Sequence, residues 1–176
     1  MEIDPNDVVF DIGAYVGAFS LAVANEASKV YAIEPSSENY NCLCKNTAEY
    51  DNIERIQKVL LNKEGSVELK LGRDSTDHSV IDIDGEETNK IEYIDGTRLD
   101  NLSQELDINE IDFLKLDAEG AEPEVLEGAQ NVTVRKVAVD CGAERQGEKT
   151  SAEIKKLLQN RGYTVQSKNS IVFGRI

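Results

Sequence analysis

The stretch Asp11-Ile12-Gly13-Ala14-Tyr15-Val16-Gly17 decides how this chain folds, because it joins two segments of different periodicity. The apolar run Val8-Val9-Phe10 before it is typical of a buried strand, and apolar residues spaced as on one helix face follow it. A glycine such as Gly13 lets the backbone turn tightly without a Cβ clash. The sequence therefore predicts a strand, a glycine turn and a helix whose free N–H groups face a ligand.

A downstream acidic residue favours a nucleoside as that ligand. Glu34 ends the next apolar run, Val30-Tyr31-Ala32-Ile33, roughly 20 residues further on, where an acid can accept hydrogen bonds from ribose hydroxyls. A Gly-x-Gly-x-x-Gly pattern is absent, which disfavours a nicotinamide or flavin cofactor. Asp11 suits a ligand with positive ammonium and sulfonium groups. We therefore expect S-adenosylmethionine, although a glycine turn after a strand is by itself common in α/β proteins.

A second motif lies at residues 111–122, where an apolar strand is followed by three carboxylates within six residues. Asp117 is placed at the carboxyl end of that strand, where open α/β sheets bind their ligands. Glu122 and Glu124 are explained equally well as acids in the first turn of a helix, where they complement its dipole. That alternative explains Asp117 and Glu119 less well, because both precede the helix.

These motifs resemble the FkbM-type methyltransferases, a branch of the class I S-adenosylmethionine-dependent enzymes. The resemblance is carried by residues 11–14 with Gly17, by Ile33-Glu34-Pro35, by residues 60–65 and above all by Lys115-Leu116-Asp117-Ala118-Glu119-Gly120-Ala121-Glu122. Relatives more often have Asn or Gly where Tyr15 stands, and the helical segment that usually precedes the first strand is expected to be missing or shortened. The resemblance and the motifs together predict contacts to the cofactor from Asp11, Gly13, Ala14, Tyr15, Gly17, Glu34, Pro35, Leu60 and Asp117.

The spacing of apolar residues predicts an α/β protein of alternating strands and helices, formed by the 176 residues as one domain. Strands are expected at Val8–Ile12, Val30–Glu34, Glu54–Val59, Phe113–Asp117, Val137–Cys141, Thr164–Ser167 and Ile171–Gly174. Helices are expected at Val16–Ala27, Glu38–Tyr50, Leu99–Leu106, Pro123–Gly128 and Ser151–Arg161, the last with a capping box from Thr150 and Glu153. The resemblance implies a Rossmann-like class I methyltransferase fold, whose seven-stranded, mainly parallel sheet has the order 3-2-1-4-5-7-6 and an antiparallel C-terminal hairpin. A polar insertion at residues 66–95 interrupts the alternation and contains two further exposed strands.

Charge and cysteine content limit the partners. Acidic residues outnumber basic ones by 34 to 19, which gives a formal net charge of −15. Such a surface repels nucleic acid backbones, so we expect no nucleic acid partner. No apolar run is long enough to span a membrane, and the N-terminus has no signal peptide pattern. Three cysteines without a secretion signal indicate reduced thiols and a cytoplasmic protein.

The expected reaction is methylation of a hydroxyl on a small molecule or glycan. Asp117 and Glu119 are the main candidates for the reaction centre, with His78 of the polar insertion as a third and with Asp140 and Glu144 as further carboxylates. An acidic pocket favours a neutral or cationic acceptor. We expect no metal, because the carboxylates at the strand ends can equally bind the cofactor's amino group. Two alternatives stay open: an aminopropyl-transferase-like enzyme on the same fold, and a non-catalytic partner subunit that binds S-adenosylmethionine.

Overall fold

The computed structural model describes residues 2–72, 90–142, 145 and 149–176. Its strands are β1 (Val8–Ile12), β2 (Lys29–Ile33), β3 (Ile53–Ile56), β4 (Val59–Leu60), β5 (Gly65–Lys70), β6 (Ile91–Thr97), β7 (Glu110–Leu116), β8 (Thr133–Asp140), β9 (Thr164–Lys168) and β10 (Ile171–Arg175). Its helices are α1 (Ala18–Val23), α2 (Ser37–Asn46), α3 (Leu99–Glu105), α4 (Glu122–Glu127) and α5 (Ser151–Asn160). None of the helices in the described ranges is long and apolar enough to cross a membrane.

Seven strands form one sheet in the order β3-β2-β1-β7-β8-β10-β9. The first five of these are parallel, whereas β10 runs antiparallel to both β8 and β9. This is the predicted Rossmann-like class I methyltransferase fold with its predicted strand order and C-terminal hairpin. In parallel sheets of this kind, both faces of the central strands are buried beneath helices. Accordingly, Val9 and Phe10 are adjacent on β1, are both fully buried and pack on opposite faces.

The sheet separates the core into two layers, and helices cover each of them. Side chains of α3, α4 and α5, such as Leu102, Val125 and Ile154, pack on the face that contains Phe10. Val23 of α1 and Leu43 of α2 pack on the opposite face. The carboxyl ends of β1, β2 and β7 therefore meet at one edge of the sheet, between the two layers of helices, and this edge is where ligands bind in such folds.

A second sheet of three strands, in the order β4-β6-β5, stands beside this edge. Its inner side chains Val67, Leu69 and Ile94 form a small core with Val59 and Leu61. The paired strands β5 and β6 correspond to the two strands expected at either end of the polar insertion. The segment between them, residues 73–89, lies outside the described residues.

Four local predictions were wrong. Helix α2 ends at Asn46, four residues before the expected end at Tyr50. The single strand expected at Glu54–Val59 is two strands in different sheets, because the chain leaves the first sheet after Ile56 and Val59 pairs with Gly96 of β6. Helix α1 is shorter than expected and begins only after Gly17, which adopts a left-handed conformation at its N-cap. Thr150 does not cap α5 with its side chain, since its hydroxyl bonds to the buried carboxylate of Glu122 instead.

Candidate active site

A cleft opens at the edge of the sheet where β1, β2 and β7 end. It lies between the glycine turn after β1, the start of α2, the second sheet and the turn after β7. Its lining residues are Ile12, Gly13, Tyr15, Ile33, Glu34, Pro35, Asn39, Lys58, Val59, Leu60, Leu69, Asp117, Ala118, Glu119 and Ala121. The charged side chains among them are three acids and one lysine, so the described part of the cleft has an acidic lining.

Gly13 brings β1 and β7 into close contact. Its φ is +72°, and a Cβ atom built there would lie 1.8 Å from the backbone oxygen of Asp117. The N–H groups of Gly13 and Ala14 both donate to the carbonyl of Ile33, at 3.0 Å. A glycine is therefore required at this position both for its conformation and for the space it leaves.

Glu34 is a buried residue in the lining of the cleft, with 5% of its surface exposed. One of its oxygens accepts from the N–H of Tyr15 at 2.9 Å, and the other accepts from the N–H of Ser36 at 3.0 Å and the amide of Asn39 at 3.4 Å. Burial raises the pKa of Glu34 to about 7, although these hydrogen bonds and the charge of Lys115 act in the opposite direction. The carboxyl group therefore changes its charge near neutral pH.

Three apolar side chains form a wall of the same cleft as Glu34. It consists of Val59 and Leu60 of β4 and Leu69 of β5, all at least nine-tenths buried. A flat, weakly polar group such as a purine fits a wall of this kind. The two residues after Leu60 turn away from the cleft: Leu61 packs in the core of the second sheet, and the amide of Asn62 donates to Glu127.

The turn after β7 carries Asp117 and Glu119 into the cleft, and the buried carboxylate of Glu122 holds its shape. One oxygen of Glu122 accepts from the N–H of Ala118 at 3.0 Å and from the N–H of Gly120 at 2.9 Å. Glu119 lies between these two donors and has a φ of +48°, in the left-handed region that non-glycine residues seldom adopt. The carboxylate of Glu122 thus stabilises an unusual backbone conformation at Glu119, one of the residues predicted for the reaction centre.

The sequence of the chain matches the family described as "Methyltransferase FkbM domain" over residues 11–165. The chain belongs to the FkbM methyltransferase family. The match includes the glycine turn, the acid that ends β2 and the turn after β7. The predicted cofactor of the family, S-adenosylmethionine, is confirmed with it. No curated protein matches the chain in sequence.

Solved structures show the same fold at low sequence identity. An FkbM methyltransferase from Methylobacillus flagellatus KT is 16% identical with a TM-score of 0.66, and the alignment covers 100% of this chain but 45% of that one. A SAM-dependent methyltransferase from Aquifex aeolicus is 16% identical with a TM-score of 0.57, over 99% of this chain and 82% of that one. TrmK of M. capricolum, solved with S-adenosylhomocysteine, is 10% identical with a TM-score of 0.58, over 98% and 63% of the two chains. The FkbM domain described here thus spans less than half the length of its FkbM relative.

Most of the predicted site residues of this FkbM domain lie at the cleft, and their roles stay predictions. Six of the nine predicted cofactor contacts line it, namely Gly13, Tyr15, Glu34, Pro35, Leu60 and Asp117, and so does the predicted catalytic Glu119. The other three lie behind the lining: Asp11 is fully buried, Ala14 is 4% exposed, and Gly17 packs against Leu43 and Thr47. Asp140 ends β8 outside the lining. His78 and Glu144 lie outside the described residues.

The sequence did not point to several residues that shape the cleft. Lys115 belongs to the motif that carries the family resemblance, but no role was predicted for it. A lysine inside the apolar run Phe113-Leu114-Lys115-Leu116 nevertheless indicates a buried charge that needs acidic partners. Leu69 reaches the cleft from the second sheet, and no local pattern indicates how that sheet is placed. Glu122 was explained by the helix dipole, whereas its carboxylate organises the turn before the helix.

Proposed function

We propose that this chain transfers a methyl group from S-adenosylmethionine to a hydroxyl group of a small molecule or glycan. The observation that carries the proposal is the placement of Asp117 and Glu119 on one turn in the cleft that also contains Gly13 and Glu34. The acid that we assign to the ribose, the glycine turn and the two carboxylates that follow β7 therefore share one cleft.

The described residues of the cleft fit the cofactor. Glu34 can accept hydrogen bonds from ribose hydroxyls in its ionised form, and the apolar wall of Val59, Leu60 and Leu69 suits an adenine ring. Asp117, whose side chain is 42% exposed, can accept from the ammonium group of the methionine portion. When bound, the cofactor would supply a methyl carbon on a positively charged sulfur; the acceptor oxygen would bond to that carbon as the carbon–sulfur bond breaks, and the sulfur would leave as a neutral thioether.

The chain's own residues would then orient the acceptor and take its proton. Glu119 lines the cleft beside Asp117 and is held by the Glu122 turn, so it is the carboxylate we assign to the acceptor hydroxyl. A carboxylate at hydrogen-bonding distance from that hydroxyl removes its proton as the bond to carbon forms. Three acids against one lysine around the cleft favour a neutral or cationic acceptor over a phosphorylated one.

The test is a screen of neutral, cationic and phosphorylated hydroxyl compounds with methyl-labelled cofactor. Wild type, Glu119→Gln, Asp117→Asn and Glu153→Gln are compared, the last as a control that removes the same charge from the exposed first turn of α5. We expect Glu119→Gln to lose turnover and keep cofactor affinity, Asp117→Asn to lose affinity, and Glu153→Gln to match wild type. Full turnover of Glu119→Gln would exclude the acceptor-side role. Cofactor binding by wild type without transfer to any acceptor would favour a non-catalytic partner subunit.

A further inference from the structure

Two lysines occupy equivalent environments on one face of the sheet. Lys115 of β7 and Lys136 of β8 lie on the same face, because Phe113 is in register with Lys136 and Lys115 is in register with Ala138. Their side chains are 20% and 18% exposed, and each pairs with two carboxylates. They differ in position, since Lys115 is at the carboxyl end of its strand beside the cleft, whereas Lys136 lies two register positions earlier and its ammonium reaches Asp4 and Asp7, before β1.

The ammonium group of Lys115 joins the ends of β1 and β7. It donates to the carbonyl of Gly13 at 2.6 Å and lies 3.4 Å from a carboxylate oxygen of Asp117 and 3.3 Å from Oδ1 of Asp11. Asp11 is fully buried, and its other oxygen accepts from the hydroxyl of Ser20 at 2.7 Å. Within the described residues, Oδ1 of Asp11 accepts no hydrogen bond, so the nearby ammonium charge is what compensates its burial.

Lys115 also affects the ionisation of Glu34, the carboxyl group that we assign to the ribose. Its positive charge lowers the pKa of Glu34 against the larger effect of burial. The other groups around Glu34 are the N–H groups of Tyr15 and Ser36 and the amide of Asn39, while Asp117, Glu119 and Lys58 line the same cleft. Without Lys115, the carboxyl group of Glu34 would ionise only at a higher pH.

We propose that Lys115 is a positioning residue of the cofactor site, which fixes the Gly13 turn against Asp117 and the buried carboxylate of Asp11. This assignment rests on S-adenosylmethionine being the cofactor and is independent of which acceptor is methylated. It predicts that two separable properties depend on Lys115: the geometry of the turn and the pH range in which the cofactor binds.

Lys136 provides the matched control. Its ammonium lies 2.9 Å from Asp7 and 3.1 Å from Asp4 and donates to the carbonyl of Glu2 at 3.0 Å, so it has the same kinds of partners as Lys115. Asp7 is 4% exposed, so removing Lys136 leaves this buried carboxylate with the N–H of Asp4 but without a positive partner. Both lysine-to-methionine substitutions should therefore lower stability, and only the one at the cleft should alter cofactor binding.

The experiment measures cofactor affinity by calorimetry between about pH 5.5 and 8.5 for wild type, Lys115→Met, Lys115→Arg and Lys136→Met, with unfolding midpoints for each. We expect Lys115→Met to bind about tenfold to a hundredfold more weakly near pH 7 and to require a higher pH for half-maximal affinity. Lys136→Met should keep wild-type affinity and pH dependence. Lys115→Arg should keep the wild-type pH dependence because it keeps the charge, but should bind several-fold more weakly, because a planar guanidinium replaces a compact donor.

Two outcomes would overturn the role of Lys115 and leave the proposed function untouched. The first is wild-type affinity and pH dependence in Lys115→Met despite a stability loss like that of Lys136→Met, which would make Lys115 a structural residue only. The second outcome applies if the Lys115→Met protein fails to fold. In that case, a Lys115→Arg protein that binds the cofactor with wild-type affinity would show that Lys115 has no positioning role. Failure of the wild type itself to bind S-adenosylmethionine would instead overturn the cofactor assignment, and this inference with it.

Discussion

The charge of Glu34 depends strongly on its surroundings. Its raised pKa, about 7 against an ordinary 4.5, means that the folded chain holds a proton there which the unfolded chain has already released. Between these two values, the stability of the ligand-free protein falls as the pH rises, by about 3 kcal/mol from this group. Ribose hydroxyls that donate to Glu34 would favour its ionised form, so binding has the opposite pH dependence.

We therefore predict that cofactor affinity increases from about pH 6 to about pH 7.5 and is then constant, with release of a proton on binding at the lower pH. Calorimetry in buffers of different ionisation enthalpy counts that proton. Glu34→Gln should bind more weakly and lose this pH dependence, since it cannot ionise. A wild-type affinity that is constant over this range would show that Glu34 does not ionise on binding.

Gly13 gives a second prediction at the scale of single residues. Gly13→Ala puts a methyl group within 1.8 Å of the backbone oxygen of Asp117, at a φ of +72° that alanine disfavours. The ends of β1 and β7 must separate, so we expect a loss of stability of about 2 kcal/mol or more and a loss of cofactor binding. Gly162→Ala is the matched control, because it has a φ of +87° but open space around its Cβ position. Equal effects of the two substitutions would contradict a role for close approach at Gly13.

At the scale of elements, the turn from Asp117 to Ala121 depends on the helix that follows it. We predict that Glu122→Ala leaves the N–H groups of Ala118 and Gly120 without their acceptor, which costs about 3 kcal/mol of stability and lowers turnover. Thr150→Val removes only the hydroxyl that bonds to the other oxygen of Glu122, and should cost about 1 kcal/mol with turnover retained. Denaturant unfolding and single-turnover assays measure both quantities. A Glu122→Ala protein with normal turnover would show that the turn keeps its shape unaided.

Elements in which one physical signal dominates were predictable from the sequence. Strands β1, β2 and β7 are buried on both faces and appear as apolar runs, so their ends, with Gly13, Glu34 and Asp117, were placed correctly beside one another. Strands β5 and β6 of the second sheet were expected, but their packing against β4 at the cleft was not, because Leu69 and Val59 are brought together only by tertiary pairing. Lys115 and Glu122 were missed for a related reason: their partners are backbone atoms and carboxylates whose positions exist only in the folded chain.

At the scale of the whole molecule, the excess of acidic residues should make stability depend on salt concentration. A net charge of −15 on 176 residues gives a self-repulsion that opposes the compact state. Ion pairs such as Lys58 with Glu105, 2.9 Å apart and partly exposed, offset little of it. Raising the NaCl concentration from about 0.05 M to about 0.5 M shortens the screening length roughly threefold, so at neutral pH we expect the unfolding midpoint to rise by a few degrees.

The control for this salt effect is the same measurement near the isoelectric point of about 4.5, where the net charge is close to zero. Salt then has no net repulsion to screen and can only weaken attractive pairs, so the midpoint should stay constant or fall. A fall of the midpoint with salt at neutral pH would show that attractive pairs outweigh the excess of acids. A rise at both pH values would point to a general salting-out effect on apolar burial, since that effect does not depend on net charge.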